Sequence, residues 1–469
     1  MTSQSLLITN AELLSKPGSL SDISISNGVI TEIGRIAPGD SARVIDAKGC
    51  LLIPGLSDHH VHLISYAASL ASVPCGPPEI NSEESLAKTL NNQPGTHWLR
   101  GIGFHESTHP KLDRQWLDEN GPNRPIRIQH RSGRLWILNS QGLALIQYAA
   151  SSLSHHERVR LSSDDGRLYD VDELLGSLTR RQPPPIDVAS RNLAAFGITG
   201  INDMTPSNDE STWQWFAELQ STGSLLQKVR LSGRPELTEC KNVVDRLTLG
   251  ETKVHLHDSS LPDFPELVDT IENSHRANRT VAVHCVTETE LVFTLSAFRS
   301  AGTISGDRIE HASVVPPALI EQLRELELGV VTQPNFIFER GDSYLRDIPA
   351  TEHPFLYRCR SLMEADIPVA FGTDLPFGDP DPWRAMNAAT DRQTSSGDCL
   401  GKSEYVTPDI ALNSFLGKLS LPFENRSITA GEPADCCLLD APWAVLKSDL
   451  NSKHVRMTTR DGEVIYDRD

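Results

Sequence analysis

The chain has 469 residues, enough for two or three domains or for one large barrel with an appendage. It carries 43 Lys and Arg against 62 Asp and Glu, a net charge of −19, with 38% hydrophobic and 22% charged residues. These figures exclude a disordered chain, and they argue against nucleic acid and anionic membranes as partners because both need a positive surface. No apolar run reaches the ~18–20 residues of a membrane span, the start lacks a secretory signal, and the eight cysteines form no Cys-x-x-Cys pair. We therefore expect a cytoplasmic protein whose partner is a small-molecule substrate.

Both ends of the chain are rich in strand-forming sequence. Residues 1–52 and 425–469 consist of short apolar or alternating runs, separated by turn pairs such as Asn27-Gly28 and Asp461-Gly462. Asn-Gly and Asp-Gly pairs between alternating runs favour tight hairpins. We predict one composite β-sandwich domain assembled from both termini.

The middle of the chain alternates between short β-branched runs and stretches with helical spacing, which is typical of βα units around a parallel sheet. The predicted barrel strands are Leu56–His62, Ile198–Asp203, Val229–Ser232, Lys253–His257, Val281–His284, Arg308–His311, Gly329–Gln333 and Val369–Asp374. Eight such units make an α/β fold of the (β/α)8 TIM-barrel type over residues 53–63 and 190–424, with the chemistry at the C-terminal strand ends. Residues 64–189 are too many for one crossover, so we predict an inserted subdomain after the first barrel strand.

The segment Asp58-His59-His60-Val61-His62 is the sharpest chemical signal in the chain. On a strand alternate residues share a face, so Asp58, His60 and His62 point one way and His59 the other. Two imidazoles at i and i+2 at a strand end can hold one divalent metal ion from the same side. The alternative is a polar strand end whose histidines are satisfied by ordinary hydrogen bonds.

The motif Pro54-Gly55-x-x-Asp58-x-His60-x-His62 resembles the first-strand motif of the amidohydrolase superfamily, metal-dependent hydrolases built on a distorted (β/α)8 barrel. The resemblance implies a lysine or other bridging ligand on the fourth strand, a histidine on the fifth, a histidine on the sixth and an aspartate on the eighth. The sequence supplies candidates in that order. The implied metal ligands are His60, His62, Lys253, His284, His311 and Asp374, holding one or two divalent ions with Zn2+ as the expected metal.

The fourth strand leaves three alternatives open. Alternation places Lys253, His255 and His257 on one face. In the superfamily, a lysine at the Lys253 position can react with CO2 to give a carbamate that bridges two metal ions. The alternatives are a bridging, carboxylated Lys253, a structural Lys253, and His257 as the site residue in its place.

A closer resemblance is to the branch that contains N-substituted formamide deformylase, sometimes called amidohydrolase family 3. It is carried by Gly101-Ile102-Gly103-Phe104-His105-Glu106 and by Ser132-Gly133-Arg134, followed by Asn139-Ser140. His105 stands where the branch usually has Asp, and Arg134 where it usually has His. The resemblance implies substrate contacts, for which the candidates are His105, Glu106, Arg134, Asn139 and His257. For Arg134 the alternative is a surface residue or one that pairs within the fold.

The resemblance implies a metal-dependent hydrolase that cleaves a C–N bond in a small amide, formamide, cyclic amide or amidine. The metal lowers the pKa of bound water from about 15.7 toward about 7, Asp374 acts as the catalytic general base, and Asp58 orients a ligand imidazole. A heterocycle deaminase is the alternative in the same class, favoured by one metal and a nearby Glu. A non-catalytic barrel is the alternative outside it. A homodimer is possible by analogy with the superfamily.

Overall fold

The computed structural model describes residues 5–37, 42–77, 79–179, 184–239 and 246–469. Its contacts divide the chain into two compact units, Met1–Leu63 with Asp187–Asp469, and Ile64–Ile186. Seven cysteines are free thiols, while Cys240 lies outside the described residues. Among the described helices, none has the length and apolar character needed to cross a bilayer.

The first unit contains an eight-stranded parallel barrel whose strands neighbour one another in chain order. A parallel bridge between Val61 and Leu375 brings the first strand to the segment that follows the eighth. The barrel strands are Leu56–Val61, Ile198–Asp203, Lys228–Gly233, Leu247–His255, Val281–Cys285, Arg308–His311, Gly329–Thr332 and Val369–Phe371. The predicted TIM-barrel fold is therefore confirmed.

The fourth barrel strand differs most from its prediction. It begins at Leu247 and ends at His255, so His257 lies beyond the strand. The early part contains Gly250 and Glu251, residue types that are depleted in strands. Glu251 is nevertheless buried there because two arginines pair with it inside the barrel.

Helices of the first unit pack on the outside of the parallel strands through one apolar face. Glu288–Ala301 begins at Thr287, whose hydroxyl accepts from the Glu290 backbone while the Glu290 side chain bonds back to the Thr287 backbone. Leu291, Leu295 and Phe298 follow at helical spacing and are buried. The α-helices of this unit and its border are Leu63–Leu70, Ile186–Ala195, Glu210–Ser221, Phe264–Arg276, Glu288–Ala301, Pro317–Glu325, Asn335–Asp347, Arg360–Glu364, Pro382–Asp391, Pro408–Asn413 and Trp443–Leu446. Short 3-10 helices occupy Asp258–Ser260, His353–Phe355, Lys402–Glu404 and Ser452–His454.

Both termini contribute to one eight-stranded sheet, as the sequence predicts. Its strands are Ser5–Leu13, Lys16–Ser26, Val29–Gly34, Ala42–Asp46, Leu51–Pro54, Cys436–Leu439, Val455–Arg460 and Glu463–Asp467. Asn27-Gly28 and Asp461-Gly462 form hairpin turns with positive φ at both residues, the conformation that these pairs favour. Leu6 and Ile8 from the N-terminus share a buried core with Leu438 and Met457 from the C-terminus.

The second unit has its own five-stranded sheet and hydrophobic cores. Its strands are Val73–Pro74, Leu99–Phe104, Ile126–His130, Leu135–Leu138 and Arg167–Tyr169. Its helices are Glu83–Asn91, Arg114–Asn120, Ser140–Ala149, His155–Arg160 and Asp172–Thr179, with a 3-10 turn at Ala150–Ser152. The domain boundaries inferred from the sequence, including the separation of the terminal sheet from the barrel, stay predictions.

Candidate metal centre

Three of the predicted metal ligands converge at the C-terminal end of the barrel. His60 Nε2 lies 3.6 Å from Asp374 Oδ1, and His62 Nε2 lies 3.3 Å from the same oxygen. One ligand atom from each of the three residues falls within 4.8 Å of the other two. Two imidazole nitrogens and a carboxylate oxygen are a donor set that zinc and similar divalent ions accept.

The hydrogen-bonding state of these atoms tests whether the site fits a cation. His60 Nε2 and Asp374 Oδ1 are both buried, and neither has a hydrogen-bond partner among the described residues. A buried polar atom without a partner costs about 1–3 kcal/mol of desolvation. A divalent ion would be coordinated by both the imidazole lone pair and the negatively charged carboxylate oxygen. The residues present therefore fit a divalent metal ion.

The backbone brings the first and eighth strands close together at this point. The Asp374 amide donates to the His60 carbonyl at 2.8 Å. A Cβ added to Gly372 would lie 2.6 Å from the His60 Cβ, so only glycine permits this approach.

Asp58 ties the two strands together instead of orienting an imidazole. Its carboxylate accepts from the Thr373 amide at 3.0 Å, from the Thr373 hydroxyl at 2.6 Å and from the His60 amide at 3.2 Å. Burial raises the pKa of Asp58 to about 7, although the hydrogen bonds from Thr373 and His60 lower it. The prediction that Asp58 orients a ligand ring is wrong, because the carboxylate meets the backbone of the eighth-strand turn.

Three histidines at the site are oriented through their Nδ1 atoms. His60 Nδ1 lies 2.5 Å from Glu310 Oε2, and His311 Nδ1 lies 2.7 Å from Gln333 Oε1. His62 Nδ1 lies 3.0 Å from the Thr205 hydroxyl. A carboxylate or amide oxygen accepts the Nδ1 proton and leaves the Nε2 lone pair available to a metal.

Glu310 belongs to a buried ion-pair network inside the barrel that the sequence analysis missed. Arg308 donates from Nε to Glu310 Oε1 at 2.6 Å and from Nη1 to Glu251 Oε1 at 2.9 Å. Arg230 pairs with the same Glu251 oxygen at 3.0 Å. Alternation along the sixth strand places Arg308 and Glu310 on one face, which is the signal that could have found them.

Left-handed backbone lets two adjacent residues of the sixth strand serve the same site. His311 has a φ of 70° and Ala312 a φ of 47°. Regular strand geometry would point Glu310 and His311 to opposite faces. The turn instead brings the His311 ring to within 4.7 Å of the His60 ring, while Glu310 bonds the same His60. Asp374 also has a positive φ, and such conformations are often found at functional sites.

A row of further histidine side chains lies next to the three-residue group, at the C-terminal ends of the barrel strands. The ring centroids of His311 and His284 lie 4.4 Å apart, those of His284 and His255 4.3 Å, and those of His255 and His257 4.4 Å. Burial lowers the pKa of His60, His255 and His284 well below its usual range, so these rings are neutral, as metal ligands must be. His255 was not among the predicted site residues, although it shared a face with Lys253.

Burial affects the protonation states of Lys253 and Asp374 differently. Lys253 Nζ has no hydrogen-bond partner among the described residues, and burial lowers the pKa of this amine to about 8 against the effect of Glu310 and Asp374. Burial raises the pKa of Asp374, but the contact with His62 and the nearby rings of His60 and His311 outweigh it and lower the pKa below its usual range. Asp374 is therefore ionised, and Lys253 has an accessible neutral form.

Arg134, in the second unit, is paired within that unit. Its Nε and Nη2 donate to the two carboxylate oxygens of Asp170 at 2.7 and 2.8 Å. This geometry corresponds to the alternative in which Arg134 pairs within the fold. The contact of Arg134 with substrate stays a prediction.

The other three candidates in the second unit also have local partners. Asn139 is buried and precedes helix Ser140–Ala149, where its side-chain oxygen accepts from the Gly142 amide at 2.9 Å. Glu106 Oε2 lies 3.0 Å from His130 Nε2 and 4.0 Å from His105 Nε2. These contacts account for the three residues structurally, and their role in substrate binding stays a prediction.

The barrel and its His-His-Asp group define a TIM-barrel protein with a site suited to a divalent metal ion. The chain belongs to the amidohydrolase family, because the Amidohydro_3 model of that family matches residues 43–466. It is 24% identical to N-substituted formamide deformylase of Arthrobacter pascens, over 95% of either chain.

Two solved structures share the fold. An uncharacterized metal-dependent hydrolase from Pyrococcus horikoshii matches with a TM-score of 0.73 and 20% identity, over 97% of this chain and 100% of its own. N-isopropylammelide isopropylaminohydrolase from Burkholderia multivorans matches with a TM-score of 0.53 and 15% identity, over 98% of either chain. The barrel with an additional β domain is thus common to these hydrolases, and this chain is a hydrolase of the amidohydrolase family.

Proposed function

We propose that this protein is a divalent-metal hydrolase that cleaves the C–N bond of a small amide, formamide or cyclic amide. The observation that carries the proposal is the convergence of His60, His62 and Asp374. Two of the ligand atoms, His60 Nε2 and Asp374 Oδ1, are buried and have no hydrogen-bond partner among the described residues. Zinc is the proposed ion, because nitrogen and carboxylate donors suit it.

The proposed metal ligands differ in how closely the structure brings them together. His60, His62 and Asp374 form the compact group, while His311 and His284 continue beside it as neutral rings. Lys253 is proposed as the group that joins a second ion, in its carboxylated form. An ion held there would lower the pKa of a coordinated water and polarise the amide carbonyl.

Asp374 is the proposed general base. Its carboxylate is ionised, and Oδ1 lies 3.6 Å from His60 Nε2 and 3.3 Å from His62 Nε2. It can accept a proton from the attacking water and return it to the leaving nitrogen, which needs the proton to depart as an amine. Thr373, the residue before it, is fixed by Asp58, so the carboxylate position is set by the fold.

A heterocycle deaminase is less well supported than amide hydrolysis. That reaction calls for a carboxyl group that can protonate a ring nitrogen. Glu310 is the glutamate next to the site, but one oxygen bonds His60 and the other bonds Arg308. The local hydrogen bonding therefore favours the amide substrate.

Metal content tests the site independently of any substrate. We expect a stoichiometric divalent ion in the purified protein and its loss in His60→Asn. His59→Asn is the matched control, since His59 is equally buried, is the adjacent residue and points to the other face of the strand. Metal retained in His60→Asn would contradict the assignment of His60 as a ligand. Metal absent from the folded wild-type protein after zinc is supplied would favour a non-catalytic barrel.

Turnover tests the reaction. The wild-type protein, loaded with zinc, is assayed against N-substituted formamides, lactams and aminoheterocycles, with amine and ammonia release measured separately. We expect amine release or ring opening that disappears with a chelator and returns with the metal. Ammonia release from the heterocycles alone would identify the deaminase instead.

A further inference from the structure

Arg340 lies beside the metal site on the helix that follows the seventh barrel strand. Its Nη2 donates to the Phe377 carbonyl at 2.6 Å, and its Cζ lies 3.9 Å from the centroid of the Phe336 ring. The ring of Phe377 in turn contacts the His62 ring edge-on, with centroids 5.4 Å apart. A single residue therefore separates this guanidinium from a proposed metal ligand.

Arg340 has no counter-ion in the part of the chain that the structure describes. None of the described carboxylate oxygens is paired with its guanidinium within 4.0 Å, and its hydrogen bond among the described residues is the one to the Phe377 carbonyl. The neighbouring Glu339 turns away, accepting from Asn335 Nδ2 at 3.0 Å and from the Asp379 amide at 2.9 Å. Burial also raises the pKa of Glu339 to about 7, so its negative charge is incomplete at neutral pH.

Two fully buried arginines of this unit, Arg392 and Arg308, have several partners each. Arg392 donates to three backbone carbonyls, at 2.8 to 3.0 Å. Arg308 pairs with two glutamates, Glu310 and Glu251. Arg340 differs from both, because among the described residues its partly buried guanidinium bonds the Phe377 carbonyl alone. A cation partly removed from water gains from a further partner.

The surroundings of Arg340 suit a planar anion. Tyr344 and Tyr357 stack with centroids 6.0 Å apart, and Phe336 lies 5.9 Å from Tyr357. Burial lowers the pKa of Arg340, but interactions with Tyr344, Tyr357, Glu339 and Asp374 outweigh it and raise the pKa. Since Asp374 is among these neighbours, the guanidinium and the metal site share one electrostatic environment.

We propose that Arg340 binds a carboxylate on the substrate, so that the preferred substrates are amides bearing a carboxylate group near the scissile bond. The guanidinium fork matches a carboxylate in two parallel hydrogen bonds, which an ammonium group cannot reproduce. The inference rests on the proposed hydrolase function for its substrate, but the anion site can be tested without turnover.

The kinetic test uses one matched pair of substrates, 4-formamidobenzoate and the neutral 4-formamidobenzamide. Arg340→Gln raises KM for the benzoate about 10- to 100-fold with kcat little changed, as expected when a charge-assisted hydrogen bond is lost. KM for the neutral amide stays within about twofold in every variant. Arg340→Lys restores part of the effect because it keeps the charge but not the fork.

Arg346→Gln is the matched control variant. Arg346 lies on the same helix, Asn335–Asp347, and its exposed side chain pairs with Asp347. We expect Arg346→Gln to leave KM for both substrates unchanged. Equal losses on both substrates in Arg340→Gln would mean that Arg340 only holds Phe377 in place, and would overturn the proposal. A wild-type preference for the neutral amide would also overturn it.

Binding of benzoate to the zinc-loaded protein, measured by calorimetry, tests the anion site at Arg340 separately from the proposed hydrolase function. We expect benzoate to bind the wild-type protein and Arg346→Gln with equal affinity and Arg340→Gln about 10-fold or more weakly. Equal binding to all three would overturn the anion site, even if amides are hydrolysed. Arg340-dependent binding without cleavage of either amide would support the anion site and contradict the proposed hydrolase function.

Discussion

The candidate site residues at the barrel mouth and those in the second unit differ in their hydrogen bonding. At the mouth, His60 Nε2, Asp374 Oδ1 and Lys253 Nζ are buried and have no hydrogen-bond partner among the described residues. In the second unit, Arg134 meets both oxygens of Asp170, and Glu106 meets His130. These atoms at the mouth therefore have no partner, whereas Arg134 and Glu106 are paired locally.

The difference distinguishes residues that can bind a ligand from residues whose hydrogen bonds stabilise the fold. Leaving buried polar atoms without a partner costs stability, so a group of them that converges on one point is explained by a bound ion that completes them. Satisfied pairs on a partly exposed surface need no further explanation. The comparison therefore assigns the chemistry to the barrel mouth, and the following predictions test it from the largest expected effect to the smallest.

Replacement of the proposed base has the largest expected effect. Asp374→Asn removes the group that accepts the proton of the attacking water, and kcat should fall about 1000-fold. Steady-state kinetics of amine release on the substrate found in the screen measures this. Asp366→Asn is the control, because Asp366 is exposed and shares the positive φ of Asp374, a conformation that Asn also tolerates. Comparable losses in both variants would contradict the role of Asp374.

Glu310 should act on metal affinity through His60. Glu310→Gln weakens the acceptor on His60 Nδ1, and the affinity for Zn2+ should fall about 10- to 100-fold, measured by competition with a chromophoric chelator. Glu404→Gln is the control, since Glu404 is also buried and pairs with an arginine, Arg358, at 3.0 Å. Equal metal affinity in the two variants would contradict the role of Glu310 in orienting His60 for metal binding.

The cost of polar groups at the mouth should appear in the pH dependence of stability. Burial raises the pKa of Glu339 from 4.5 to about 7, so the folded state favours the protonated form. As pH rises from 5 to 8, the wild-type protein should therefore lose about 3 kcal/mol of unfolding free energy relative to Glu339→Gln. Both accepted hydrogen bonds use one oxygen, which Gln keeps. Urea unfolding across this range measures the difference, and parallel curves would contradict the prediction.

The second unit should give the smallest effect. Arg134→Gln breaks a partly exposed ion pair, so the free energy of unfolding should change by at most about 1 kcal/mol. Because the pair with Asp170 accounts for Arg134, kcat/KM should stay within about twofold. A much larger loss of kcat/KM would break the comparison and support the substrate contact predicted from the sequence.

Local sequence patterns predicted the parts of the fold and site that depend on alternation. All eight barrel strands were predicted, and the His60 and His62 pair was placed on one face with Asp374 expected at a distant strand end. The pattern failed where tertiary pairing outweighs propensity. Glu251 extends the fourth strand because Arg308 and Arg230 neutralise it, and those residues are distant in the sequence.

The roles of individual carboxylates could not be predicted, because they depend on what approaches from other strands. Asp58 lies on the predicted face, but its partners belong to the turn at Thr373. His311 joins Glu310 beside His60 because the chain at His311 turns left-handed, which strand periodicity does not describe. The four insertion residues carried a family resemblance, and their observed partners lie within their own unit.

Crystallography at the zinc absorption edge tests the central claim most directly. Crystals of the zinc-loaded protein should give an anomalous peak next to His60 Nε2, His62 Nε2 and an Asp374 carboxylate oxygen, and crystals of His60→Asn should lose it. A peak at some other place in the protein, or an unchanged peak in His60→Asn, would contradict the assignment.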